Sequence, residues 1–99
     1  MAARAFIDIR DDTLVLSGVL DYESVMDIDT QAQDWIKISA PAQSILDASA
    51  VTYSSSAGMA LLIGWLRAAK LHGKTLQICH LPSDMQALAK VSGLEKILV

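Results

Sequence analysis

The sequence predicts a single α/β domain spanning residues 1–99, with a mixed sheet of four to five strands packed with three to four helices. Short runs rich in β-branched and aliphatic residues alternate with longer segments whose apolar side chains recur every three or four positions. A length of 99 residues suits one domain. With 53% hydrophobic and 19% charged residues, and few Gly or Pro, the chain has enough apolar surface to offset its conformational entropy, which excludes disorder and low complexity.

Phe6-Ile7-Asp8-Ile9 alternates as a strand, Asp11-Asp12 offers a turn, and Thr13 to Gly18 reads as a second strand that Gly18 ends. From Tyr22, apolar side chains recur at Val25, Ile28, Ala32, Trp35 and Ile36, which predicts a helix from Tyr22 to Lys37. Asp21 is placed to cap it, and Ser24 is not expected to compete. Ala40-Pro41-Ala42 breaks the helix, because proline lacks an amide hydrogen and biases the preceding residue away from helical angles. Ser44 to Asp47 reads as a short third strand. A Ser- and Thr-rich stretch from Ser49 to Ser56 then leads into a helix ending near His72, where Gly73 supplies a stop. Thr75 to Cys79 is a fourth strand, Ser83 to Ser92 a third helix closed by Gly93, and Ile97 to Val99 a candidate final strand. Crossover helices make the later strands parallel, while the tight first turn makes an antiparallel pair, hence a mixed sheet.

Net charge is −3 and the eight Lys and Arg residues are scattered, which disfavours nucleic acid because phosphate neutralisation needs a basic patch. The longest strongly apolar stretch, Ala57 to Leu66, is followed by Arg67 and falls short of the ~20 residues that cross a bilayer, so no direct membrane insertion is expected. No charged and apolar leader precedes Phe6, and Cys79 is the single cysteine, so the expected location is a reducing cytoplasm without an internal disulfide.

Winding Ser56 to His72 at helical pitch gathers Ala57, Gly58, Leu61, Leu62, Trp65, Ala68 and Ala69 on one side, the core side. Opposite lie Ser56, Ala60, Ile63, Arg67 and Lys70, with Met59 on the flank. Large apolar groups beside cations have the make-up of a protein interface, whereas an ordinary solvated face is more polar. Ser54, Ser55 and Ser56 stand where the helix begins, and a hydroxyl there can cap a first-turn amide for ~1 kcal/mol. From the residues alone, plain capping is the favoured role. A phosphate on Ser56 would instead add roughly −1.5 to −2 charge at the positive end of the helix dipole.

Asp47, His72 and the serine run do not assemble a hydrolytic triad, since a helix from Ser56 to His72 separates base from nucleophile by about 24 Å. His80 reads as a surface histidine, and Cys79, His80 and His72 are too few and too irregular for zinc, so Cys79 reads as a buried strand cysteine. Trp35 and Trp65 occupy apolar helical positions and read as core. No Gly-x-Gly-x-x-Gly or Walker-type sequence occurs. The expectation is a binding protein with no catalytic residue, metal or cofactor.

Leu46-Asp47-Ala48-Ser49 followed by Ser55-Ser56-Ala57-Gly58-Met59-Ala60-Leu61-Leu62 resembles the STAS-domain signature, and Leu14 to Asp21 resembles that family's Leu-x-Leu-x-Gly-x-Leu-Asp strand and turn. The resemblance implies a STAS-like fold and one of two roles. One group of small members comprises anti-sigma-factor antagonists, released from a partner kinase by serine phosphorylation. The other comprises MlaB-like subunits that support the cytoplasmic ATPase of a phospholipid ABC transporter, peripheral to the inner membrane through the complex. The segment from Asp12 to Asp21 and the Gly58 to Leu62 helix start look more like the second group. By position, Ser56 takes the place of the phosphorylatable serine, Ser55 replaces the family's usual aspartate, and Asp47 and Gly58 match motif residues. Partner contacts are expected at Ser55, Ser56, Met59, Ala60, Ile63, Arg67 and Lys70, with help from a third-helix region near Ser83 to Lys90.

Overall fold

Alternation along β2 (Thr13–Leu20) sends Leu14, Leu16 and Leu20 into one core, and this strand lies in the sheet interior. In the computed structural model, which describes residues 4–83 and 85–87, the strand order is β1 (Ala5–Arg10), β2, β3 (Gln43–Ser54), β4 (Thr75–Cys79). β1 is antiparallel to β2, whereas β2–β3 and β3–β4 are parallel, as the expected crossovers require. The turn between β1 and β2 carries Asp11 at φ 54, a left-handed conformation that Asp tolerates better than most residues.

The two parallel crossovers run in one direction along the strand order and, with the right-handed sense such connections take, place α1 (Ser24–Asp34) and α2 (Ser56–Leu71) on the same face of the sheet. Trp65 Nε1 donates to Asp29 Oδ1 at 2.8 Å across their seam, and Trp65 is 0% exposed, so the indole fills the core while its polar edge is satisfied. Ile28, Ala32, Trp35 and Ile36 complete the layer above Leu46, Ala48, Leu76 and Ile78 of the sheet. Both tryptophans are core residues, as expected.

Five local expectations change. The first helix is α-helical only over Ser24–Asp34 and continues as a π-helix over Trp35–Ser39, closed by Ala40 N–H donating to Trp35 O at 2.7 Å. The wider turn lets neighbouring Trp35 and Ile36 both bury, and Lys74 Nζ caps this end by donating to Ile36 O at 2.6 Å. Tyr22 lies outside the helix and is exposed, not part of its apolar face. β2 runs past Gly18, because at φ 92 the glycine makes an irregularity that the strand absorbs and then resumes pairing at Val19 and Leu20.

β3 extends through the serine-rich stretch to Ser54, since Ser17 to Leu20 offer it ladder partners from Ala50 to Ser54. Asp21 caps α1 as expected, its Oδ1 accepting from the amides of Glu23 (3.1 Å) and Ser24 (2.9 Å). Ser24 does take part, reciprocally: its Oγ accepts from the Asp21 amide at 2.9 Å and donates to Val19 O at 2.6 Å. A further helical turn starts at Ser83 and includes residues 85–87, with Met85 in the core. The rest of the expected third helix and the Ile97 to Val99 strand lie outside the described residues.

A Cβ on Gly18 would run into the Arg4 carbonyl oxygen, and its φ disfavours any side chain. Gly18→Ala should therefore cost about 2–3 kcal/mol, read as a lower urea midpoint with an unchanged denaturant slope.

Candidate functional site

The start of α2 is fixed by a short set of bonds to the end of β2. Ser55 is the N-cap: its Oγ accepts from the Ala57 amide at 3.2 Å and donates to Leu20 O at 3.3 Å. The Ser55 amide donates to the same Leu20 carbonyl at 2.8 Å, and Ser54 Oγ donates to Ser55 O at 2.9 Å. Of the three serines, then, Ser54 and Ser55 have hydroxyls engaged in structure. Ser56 is exposed and its hydroxyl has no hydrogen-bond partner among the described residues. The residue best placed for an outside contact or a modification is Ser56, and the capping role belongs to Ser55.

Gly58 determines how closely this end approaches the sheet. A Cβ there would collide with Ser54 Oγ and lie 2.9 Å from Leu20 Cβ, so the absence of a side chain lets the first turn sit directly on β2 and β3. That proximity buries three consecutive residues, Ala57, Gly58 and Met59. Met59 is only 4% exposed and belongs to the core cluster, which corrects its expected place on the outward flank. Ser56, Ala60, Arg67 and Lys70 do face solvent, and Ile63 is half-buried beside them. The outward arc of α2 thus retains Ile63 and two cations, with a second large aliphatic, Leu71, exposed at its far end.

Asp47 lies elsewhere. Strand β3 continues for seven residues beyond it to Ser54, so it does not stand at a strand end as expected. Its neighbours Leu46 and Ala48 point into the core, which leaves Asp47 on the sheet face opposite the helices. Its Oδ1 accepts from the Ser49 amide at 2.9 Å, bracing the irregularity where β3 shifts register between Val15 and Ser17. His80, in a left-handed conformation at φ 59, brings Nδ1 to 3.3 Å from the same oxygen. His80 is an exposed histidine as expected, though with a partner that sequence spacing did not reveal. Cys79 pairs with Asp47 in the β-ladder and is half-buried, not fully buried. His72 caps the far end of α2 through a contact with Ala68 O at 2.9 Å, away from both Asp47 and Ser56.

Among the described residues, Asp47 and Asp21 titrate below the ordinary carboxylate range. The Ser49 amide, then the Ser49 side chain, hold Asp47 down against the opposing effect of partial burial, with a smaller contribution from His80. For Asp21 the leading cause is the Ser24 amide, followed by the Ser24 hydroxyl. Both shifts arise from turns that shape the backbone.

Sequence reasoning missed the exposed pair Tyr22 and Met26. The signal for Met26 was present, because the periodicity that turns Ile28 and Ala32 inward turns Met26 outward.

The family model described as "Mlab, STAS domain" matches residues 6–99. Solved structures with a similar fold include the Bacillus cell fate determinant SpoIIAA in its phosphorylated form, at 19% identity and TM-score 0.72, covering 96% of this chain and 88% of that one. The anti-sigma factor antagonist SpoIIAA in its unphosphorylated form matches at 18% identity and TM-score 0.74, with 96% and 85% covered. An anti-sigma-factor antagonist (STAS) domain protein from Planctomyces limnophilus matches at 15% identity and TM-score 0.72, with 99% and 87% covered. At these identities the likeness is one of fold.

Gly58→Ala should destabilise the domain by about 2 kcal/mol through overpacking against Leu20 and Ser54. Adding Ser54→Ala should recover part of the loss in chemical denaturation, since one of the two obstructing groups is then gone. A carboxylate held below its unfolded value contributes stability that is present above about pH 4 and lost as pH falls through the folded value. Asp47→Asn and Asp21→Asn should each flatten the acid limb of the stability–pH curve below about pH 4 and leave the neutral range unbent.

Proposed function

The chain belongs to the STAS-domain family, and from that membership and the outward arc of α2 we propose that it is a non-catalytic cytoplasmic subunit that binds the ATPase of a phospholipid ABC transporter. In this reading it supports assembly and activity of the transporter that maintains outer-membrane lipid asymmetry, and it lies at the inner membrane through that complex. The observation that carries the reading is the geometry at the helix start: Ser56, Ala60, Ile63, Arg67 and Lys70 face outward from a helix whose first turn is clamped to the sheet. A fixed surface with an aliphatic centre and cationic margin suits protein contact. Ser55 belongs to the same end, but its hydroxyl is spent on the cap, so it contributes shape and not a free polar group. The domain would act by binding one conformation of the ATPase better than another and so shifting its population, with no chemistry of its own.

A second reading is an anti-sigma-factor antagonist, switched off its partner kinase by phosphate on Ser56. The exposed hydroxyl of Ser56 favours it, as does the fold likeness to SpoIIAA. Ser55, in place of the family's usual aspartate, weighs against kinase recognition.

Ile63→Asp should weaken binding to the purified transporter ATPase by at least about tenfold, or ~1.4 kcal/mol, in calorimetric titration. Its half-exposed position should leave the circular dichroism spectrum native. Unchanged affinity would remove α2 from the contact surface. Intact-mass spectrometry of the protein from growing cells separates the two readings: stoichiometric phosphoserine at Ser56 supports the switch, and its absence in all growth phases supports the transporter subunit.

A further inference from the structure

Tyr22 and Met26 are 71% and 77% exposed, large apolar side chains on the solvent side of α1 and its leading turn. They are four residues apart, and the Val25 amide, donating to the Asp21 carbonyl at 3.1 Å, gives the leading turn a helical pitch that sets both on one side. Two contacts fix how α1 is turned. Asp27 meets Arg4, the residue preceding β1, at 3.2 Å, while Asp29 meets Trp65 of α2 at 2.8 Å. With Ile28 and Ala32 pointing into the core, the Tyr22–Met26 ridge runs outward between those margins.

The margins are acidic. From Asp21 to Asp34 the chain carries Asp21, Glu23, Asp27, Asp29 and Asp34 and no Lys or Arg. Arg4 offsets one of them at Asp27. Among the described residues, the cations of the helical layer lie elsewhere, at Lys37 in the π-helix and at Arg67 and Lys70 late in α2. The ridge also begins beside the start of α2, because Tyr22 follows two residues after Leu20, the carbonyl that holds Ser55.

Tyr and Met are enriched where proteins meet, and charge at the margin selects among partners and steers their approach. The geometry points to the outer face of α1 as a docking surface continuous with the start of α2, taking a partner segment that is apolar in the middle and cationic at its edges. An amphipathic helix bearing Lys or Arg on either side of a leucine stripe has that chemistry. This inference rests on the reading of the α2 start as a docking end, and it adds Tyr22 and Met26 to Ile63 as apolar groups open to a partner, in place of the buried Met59.

The test uses the isotopically labelled full chain and two synthetic amphipathic peptides with the same leucine stripe, one flanked by lysine and the other by glutamate. Amide shifts at residues 22–34, with any others limited to the start of α2 at residues 55–60, seen with the lysine peptide, absent with the glutamate peptide, and weakened about tenfold by Met26→Asp or by Glu23→Lys with Asp27→Lys, are the expected result. Equal response to both peptides, shifts that spare residues 22–34, or no shifts would overturn it. A parallel titration with the transporter ATPase separates this inference from the function proposed above. Loss of ATPase binding in Ile63→Asp with full binding in Met26→Asp overturns the α1 surface and leaves the transporter reading standing. Lysine-peptide binding at α1 without any ATPase binding does the reverse.

Discussion

The contact between Gly58 and Leu20 is the constraint on which the functional end depends. Any side chain at residue 58 would meet Leu20 Cβ and Ser54 Oγ, so α2 rests on β2 and β3 at a separation that only glycine permits. That separation lets Ser55 reach the Leu20 carbonyl with both its amide and its hydroxyl. It also turns Met59 into the core and leaves Ser56 outside, so one packing contact decides which residues of the segment remain available to another molecule.

The rest of the domain divides work between its two faces. On one, the seam between α1 and α2 is closed by Trp65 and Asp29 over a continuous aliphatic core. On the other, Asp47 braces a register shift in β3 through Ser49 and meets His80. Asp47 therefore serves backbone geometry away from the start of α2. Asp21 is comparable: its lowered titration follows from capping α1 in exchange with Ser24, a local bond pattern that sets the angle at which the chain leaves β2.

Much of this was legible in the residues. Aliphatic alternation in Thr13 to Gly18, the three-and-four spacing from Val25 to Trp35, and the Gly73 stop gave the order, direction and sidedness of the main elements, because each reports a period that packing must respect. The length of β3 was hidden, since Ser49 and Ser54 read as loop although Val51-Thr52-Tyr53 favours a strand, and the segment is held by the neighbouring end of β2. The π-helix was hidden because burying adjacent Trp35 and Ile36 is a tertiary demand. At the candidate site, the outward placement of Ser56, Ala60, Arg67 and Lys70 followed from the wheel, while the burial of Met59 did not. A wheel assumes a helix half sunk in its sheet, and Gly58 sinks this one deeper.

The shared carbonyl of Leu20 has a consequence for the cost of association. Fraying of the first turn of α2 would have to break two bonds that terminate on an interior strand, so this helix end cannot loosen without disturbing the sheet beneath it. A surface immobilised before any encounter surrenders little further freedom when gripped, and more of the contact energy is left to appear as affinity.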